Sequence, residues 1–133
     1  MPYRLCLVIL FCVLTPLTGC SPPGPKMYPI SGEVTFEGIP VVDGQIRFTP
    51  DSGKGNAGPP GYAVITDGKY AASGKHSVMA GPYYVTLFGY SEPHHGGESD
   101  LRTALFAEII KEIDVPAKAS IHDFHLTKED MDR

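Results

Sequence analysis

Tyr83-Tyr84-Val85-Thr86-Leu87-Phe88 is the stretch that decides the fold class. Five of its six side chains are aromatic or β-branched. Such residues suit a pleated, half-buried surface and lose rotamer freedom in a helix. Working outward, Gln45-Ile46-Arg47-Phe48-Thr49 alternates, which puts Ile46 and Phe48 inward. Glu33-Val34-Thr35-Phe36 does the same with Val34 and Phe36. Residues 62–66 read as a third strand. Asp67-Gly68 is a tight-turn signal into a fourth, Lys69-Tyr70-Ala71. Residues 121–126 close the series, with Phe124 and Leu126 on one face. Period-two segments at intervals of about 8 to 20 residues, without alternating helices, predict an antiparallel sandwich.

One segment reads two ways. Leu101, Leu105, Ile109 and Ile113 recur every four residues, as a helical stripe would after Asp100 as N-cap. With period two, Leu105, Ala107, Ile109, Ile113 and Val115 line a strand face that Lys111 interrupts. The strand over 107–115 is the favoured reading, with at most one helical turn over 101–106 before it. Residues 116–119 then turn the chain into the last strand. The Gly- and Pro-rich loops 51–60 and 91–100 are expected to be mobile.

The chain has 133 residues, 42% hydrophobic and 20% charged, with a formal net charge of −4. That suits one packed domain and excludes a disordered chain. Scattered charge of acidic sign argues against nucleic acid, which demands clustered Lys and Arg.

Arg4 and ten unbroken apolar residues from Leu5 to Leu14 have the form of a secretory leader over 1–19. At about 1.5 Å per residue those ten span roughly 15 Å, half a hydrocarbon core, too little for a membrane helix. Leu17-Thr18-Gly19-Cys20 resembles the lipobox of bacterial lipoproteins. That resemblance implies a thioether-linked diacylglycerol on Cys20 as the first mature residue, and an extracytoplasmic address on the periplasmic side or at the outer membrane. Ser21 is compatible with the outer membrane. The remaining cysteines, Cys6 and Cys12, lie in the leader, so the mature domain offers no thiol chemistry. Pro22, Pro23, Pro25 and Pro29 make 20–29 a semi-rigid, extended tether.

Ser31-Gly32-Glu33-Val34-Thr35-Phe36-Glu37-Gly38-Ile39-Pro40-Val41 resembles the opening of carboxypeptidase regulatory-like domains. Thr66-Asp67-Gly68-Lys69-Tyr70 is similar to their D-G-x-Y hairpin, and Gly81-Pro82-Tyr83-Tyr84-Val85 to their P-G-x-Y-x-V strand with its first two residues reversed. Gly44-Gln45-Ile46-Arg47-Phe48-Thr49-Pro50 looks like the second strand of bacterial lipoprotein members. The resemblance implies a seven-stranded transthyretin-like sandwich over 30–127, followed by a charged tail over 128–133. It implies no chemistry. The related hydroxyisourate hydrolases carry a Tyr-Arg-Gly-Ser signature, which Glu129-Asp130-Met131-Asp132-Arg133 does not match.

Histidines are the candidates for chemistry. His94-His95, near Glu92 and Glu98, form a weak metal-binding candidate, since adjacent residues rarely ligate one ion well. His122 and His125, three apart on one strand, are expected on opposite faces and unable to share an ion. His76 with Ser73 or Ser77 lacks the elbow of a hydrolase nucleophile. Tyr62, Tyr70, Tyr83, Tyr84 and Tyr90 could form a sugar-stacking platform, although Trp is absent. Gly53-Lys54-Gly55 reads as a turn rather than a phosphate loop. The expectation is a non-catalytic, lipid-anchored envelope module without cofactor, held to the membrane at Cys20 and meeting a protein or polysaccharide partner. The rivals are a carbohydrate- or metal-binding domain and, further behind, a small hydrolase.

Overall fold

The computed structural model describes residues 22–96 and 102–132. The leader, Cys20, Glu98, Asp100 and Leu101 lie outside them. Nine strands follow one another: β1 (Ile30–Phe36), β2 (Ile39–Pro40), β3 (Asp43–Pro50), β4 (Gly61–Thr66), β5 (Lys69–Ala72), β6 (Gly81–Tyr90), β7 (Ala104–Val115), β8 (Ser120–Ile121) and β9 (Phe124–Leu126). They form one curled, mainly antiparallel sheet in the order β2-β1-β5-β4-β3-β6-β7.

Two hairpins turn on residues with positive φ. Glu37-Gly38 joins β1 to β2 with φ of 52° and 80°, and Asp67-Gly68 joins β4 to β5 with 49° and 75°. Positive φ at both central positions is the type I′ geometry, whose twist matches that of the flanking strands. The alternating residues fill the core as their spacing predicts: Val34, Phe36, Ile46, Phe48, Phe124 and Leu126 are all buried. Tyr83, Val85 and Leu87 join them from β6. Curling brings the ends of the strand order together, so that the rings of Phe36 on β1 and Phe106 on β7 lie 5.0 Å apart.

The ambiguous segment is strand. Among the described residues of 101–106 no helical turn forms: Arg102 and Thr103 are loop, and β7 begins at Ala104. A spacing of four satisfies both periods, and the free edge of β6 offers a long ladder that settles the choice. Nor does β7 keep the even face expected for it. Its partners slip from Leu87↔Ile109 to Gly89↔Phe106 and then to Tyr90↔Ala104, each step adding one residue on β7. These bulges rotate the strand, burying Phe106 while Leu105 stays half-exposed. Gly89 makes room, because a Cβ there would lie 2.4 Å from the Phe106 ring.

The final segment also departs from expectation. It is two short strands, and both run parallel to β1. Between them the ladder breaks at His122 and Asp123, where the Asp123 carboxylate accepts the Glu33 N–H at 2.8 Å. After β9, a 3₁₀ turn (Lys128–Asp132) folds back onto β7 through the Lys111–Asp130 ion pair. The charged tail is therefore docked over its described length.

The strand directions give the molecule two ends. At the entry end, where the described chain begins, lie 22–29 and the loops 51–60, 73–80 and 116–119. Tyr28 is bridged to Val78 there, by N–H to O bonds of 2.7 and 3.0 Å. At the far end lie both type I′ turns, residues 91–96 and 102–103, and the start of the C-terminal turn.

Candidate functional site

The most connected group of polar side chains sits where loop 51–60 crosses β6 and β7. Asp51 caps a 3₁₀ turn (Ser52–Lys54) by accepting the Lys54 N–H, and Gly55 ends the turn at φ 88°. The Lys54 ammonium lies 3.4 Å from Asp51 and 2.6 Å from Glu112, over the ring of Tyr84 at 5.8 Å. Burial pushes the Asp51 carboxyl up, but hydrogen bonds from the Lys54 ammonium and N–H and from Tyr84 outweigh it and hold it below the usual carboxylate range. The Glu112 and Asp51 hydrogen bonds raise Lys54, and the Asp51 charge foremost raises Tyr84. Lys54 and Tyr84 are thus held protonated at neutral pH. Neither is a base or a nucleophile there. The group fastens a loop.

Asn56, also buried, completes that fastening. Its Nδ2 donates to the Pro82 carbonyl at 2.9 Å and its Oδ1 accepts the Gly58 N–H at 3.1 Å. The loop expected to be mobile is pinned through its first half. Gly53-Lys54-Gly55 is part of a turn, as its context predicts. Residue spacing gave one usable signal for this cluster, the capping pattern Asp51-x-x-Lys54 before a glycine. Glu112 and Pro82, distant in sequence, gave none.

At the far end Asp43 gathers a second group. Its Oδ2 accepts the His94 N–H at 2.8 Å and pairs with Arg102 at 2.8 Å, and Arg102 lies 3.9 Å over the Tyr90 ring. Asp43, His94 and Arg102 line a cavity of about 290 Å³ with Gly44, Gln45 and Val64. His94 contributes its backbone N–H to Asp43, while His94 and His95 are both exposed. Among the described residues no three His, Cys, Asp or Glu side chains gather as a metal site.

His122 and His125 lie on opposite faces, as their spacing predicts. His122 is half-buried on the side of Phe124 and Leu126, and His125 is exposed, although both border one groove of about 280 Å³ with Lys111, Glu112 and Ile113 of β7. The His122 ring packs on Phe124 at 5.0 Å, and His125 Nδ1 meets the Thr35 hydroxyl at 3.0 Å. His76 is exposed in a 3₁₀ turn (Gly74–His76), with its ring edge-on to Tyr62 at 5.9 Å, while Ser77 is buried and Ser73 exposed.

The tyrosines do not form one platform. Tyr70 and Tyr83 are core residues: the Tyr70 hydroxyl donates to the His122 carbonyl at 2.7 Å, and the Tyr83 hydroxyl accepts the Met79 N–H at 3.0 Å. Tyr62, Tyr84 and Tyr90 belong to the outer face of β4 and β6, alternating with buried neighbours. Cross-strand register sets Tyr62 beside Arg47 and Thr86 beside Ile110 in one row, and Val64, Gln45 and Phe88 in the next. Val64 and Ile110 are more than half exposed.

Compared with known proteins, the chain matches no family model, no curated protein and no solved structure.

Proposed function

We infer that this chain is a non-catalytic, lipid-anchored domain of the bacterial envelope, with the transthyretin-like sandwich as the finer description of its curled sheet. Cys20 carries the lipid, the proline-rich 20–29 segment is the tether, and the body presents its far end to a protein or polysaccharide partner. The observation that carries this reading is the Tyr28–Val78 bridge. It fastens the chain that follows Cys20 to one end of the sheet, opposite residues 91–96 and 102–103. That geometry suits presentation, since surface confinement raises effective concentration and lets a weak contact count. It also divides the two Gly- and Pro-rich loops: 51–60 lies at the anchored end, and the described residues 91–96 lie at the other. Two acyl chains are enough for lasting attachment.

The intact mass of the native protein tests this. A chain beginning at Cys20 with a diacylglycerol adduct supports the reading, and a Cys20→Ser variant should leave the membrane fraction. An unprocessed, unlipidated native chain overturns it. A second reading, sugar binding, has one observation in its favour: the outer face where Tyr62, Tyr84 and Phe88 alternate with Arg47, Gln45 and Thr86. Calorimetry against a glycan panel decides it, with Tyr84→Ala expected to abolish any heat of binding.

A further inference from the structure

The two ends of the sheet differ in charge. The loops of the entry end carry Lys26, Lys75 and Lys118, all exposed, and a fourth lysine, Lys54, whose one charge faces two carboxylates, Asp51 and Glu112. Asp114, on β7 just above the 116–119 turn, is a third carboxylate, so four lysines stand against three acidic groups. The far end carries Glu37, Asp43, Asp67, Glu92 and Glu129 against Lys69, Arg102 and Lys128. The end where the N-terminal segment enters is thus slightly basic in an acidic protein, with Lys26, Lys75 and Lys118 outside the Asp51–Lys54–Glu112 group.

Apolar surface lies at the same end. Pro29, Pro116, Ala119 and Ile121 border an open groove of about 660 Å³ beside Lys118, and Ile121 is 78% exposed. An exposed aliphatic side chain is ordinary on a protein surface, and Ile39 at the far end is 67% exposed; what sets Ile121 apart is the apolar groove and Lys118 beside it. That combination is favourable at a headgroup boundary, where apolar groups insert and ammonium groups meet phosphate. The Tyr28–Val78 bridge also shortens the free chain: only seven residues, 21–27, separate Cys20 from the fixed body. At about 3 Å each they reach roughly 20 Å, so this end stays within reach of the surface.

We propose that the entry end, through Lys26, Lys75, Lys118 and Ile121, docks onto the anionic lipid headgroups of the leaflet that holds the anchor. Docking orients the domain, turning the acidic far end away from a surface of like charge. The proposal rests on the lipid-anchor reading and adds to it a second, electrostatic contact. Each lysine close to an anionic surface favours the docked state about fivefold, so three lysines less the opposing charge of Asp114 favour it roughly twentyfold to thirtyfold.

The test is amide hydrogen exchange on the native lipoprotein in vesicles, either purely zwitterionic or about one-third phosphatidylglycerol. Residues 74–77 and 117–121 should exchange at least about fivefold more slowly on the anionic vesicles, while 91–96 should not change. The difference should vanish in about 0.5 M salt, where screening falls to a few ångströms. It should also vanish in a triple Lys26→Gln, Lys75→Gln, Lys118→Gln variant with an unchanged melting temperature. Retention on both vesicles with equal exchange overturns docking and leaves the anchor intact. Release from both by a salt wash overturns the anchor and docking together. Protection by a soluble acidic polysaccharide but not by vesicles overturns the lipid surface as the occupant.

Discussion

The two ends of this sheet are fastened by different chemistry. At the entry end the connections are held largely by buried or backbone groups: the Tyr28–Val78 bridge, Asn56 on the Pro82 carbonyl, and the Tyr83 hydroxyl on the Met79 N–H. At the far end, backbone bonds hold the two type I′ turns, and charged side chains fasten the segments around them: Asp43 with Arg102, Glu37 accepting the Lys128 N–H at 2.7 Å, and Asp130 with Lys111 on the turn that follows β9. Buried hydrogen bonds are costly to lose because their partners stay desolvated, whereas exposed ion pairs are screened and contribute little. The entry end should therefore be the stiffer one, with the Lys54 ion pairs to Asp51 and Glu112 as its salt-sensitive part. The far end is free to respond to its surroundings.

The hardest blow to that difference is Gly32→Ala. A Cβ at Gly32 would lie 2.1 Å from the His122 carbonyl oxygen, a backbone atom that cannot swing away. The substitution should drive the closing segment off β1 and cost about 3 kcal/mol in urea unfolding. A loss below about 1 kcal/mol would mean that the segment adjusts freely. Next comes Asn56→Ala, which strands the Gly58 N–H and leaves the half-buried Pro82 carbonyl with the Asp51 N–H as its remaining donor. About 2 kcal/mol should be lost, and loop 51–60 should become open to proteolysis. Unchanged protease resistance would show that Asp51 alone holds the loop.

How much of this was legible beforehand depends on how far apart in the chain the partners lie. Val34 with Phe36, Ile46 with Phe48, and the Asp67-Gly68 turn carry their information within a few residues, and all behave as their pattern predicts. Phe106 does not, because the bulges that turn it inward arise only when β7 meets β6. His122 and His125 alternate as their spacing predicts, but the split of their strand in two depends on the Asp123 bond to Glu33, 90 residues away, and had no local sign. Asn56 looked like a loop residue because its acceptor, Pro82, is 26 residues on. The charge difference between the ends was equally hidden, since Lys26, Lys75 and Lys118 reach the same end only through strand direction.

Tyr70 offers a milder and pH-dependent test. Burial, then the Asp123 charge, pushes its hydroxyl well above the usual tyrosine range. The unfolded chain loses this proton near pH 10, while the folded one keeps it. Its contribution is therefore complete below about pH 10 and is lost as pH rises from there. Tyr70→Phe should cost about 1 kcal/mol at neutral pH, because the His122 carbonyl loses its donor, and should flatten the alkaline decline. An equally steep decline in the variant would assign it to another group.

The smallest effect belongs to Asp130. Hydrogen bonds from Lys111 first, then from the Thr127 N–H, hold its carboxyl below the usual range. Its stabilisation is present at neutral pH and is lost as pH falls below about 4, toward the depressed folded value. Because the pair is partly exposed, Asp130→Asn should cost at most about 1 kcal/mol globally. The local effect should be larger: at neutral pH the Thr127 amide should exchange faster in the variant than in the native chain, with residues 51–56 unchanged. Faster exchange at both ends would mean that they open together. The difference in fastening would then be a matter of chemistry alone, with no consequence for where the molecule yields first.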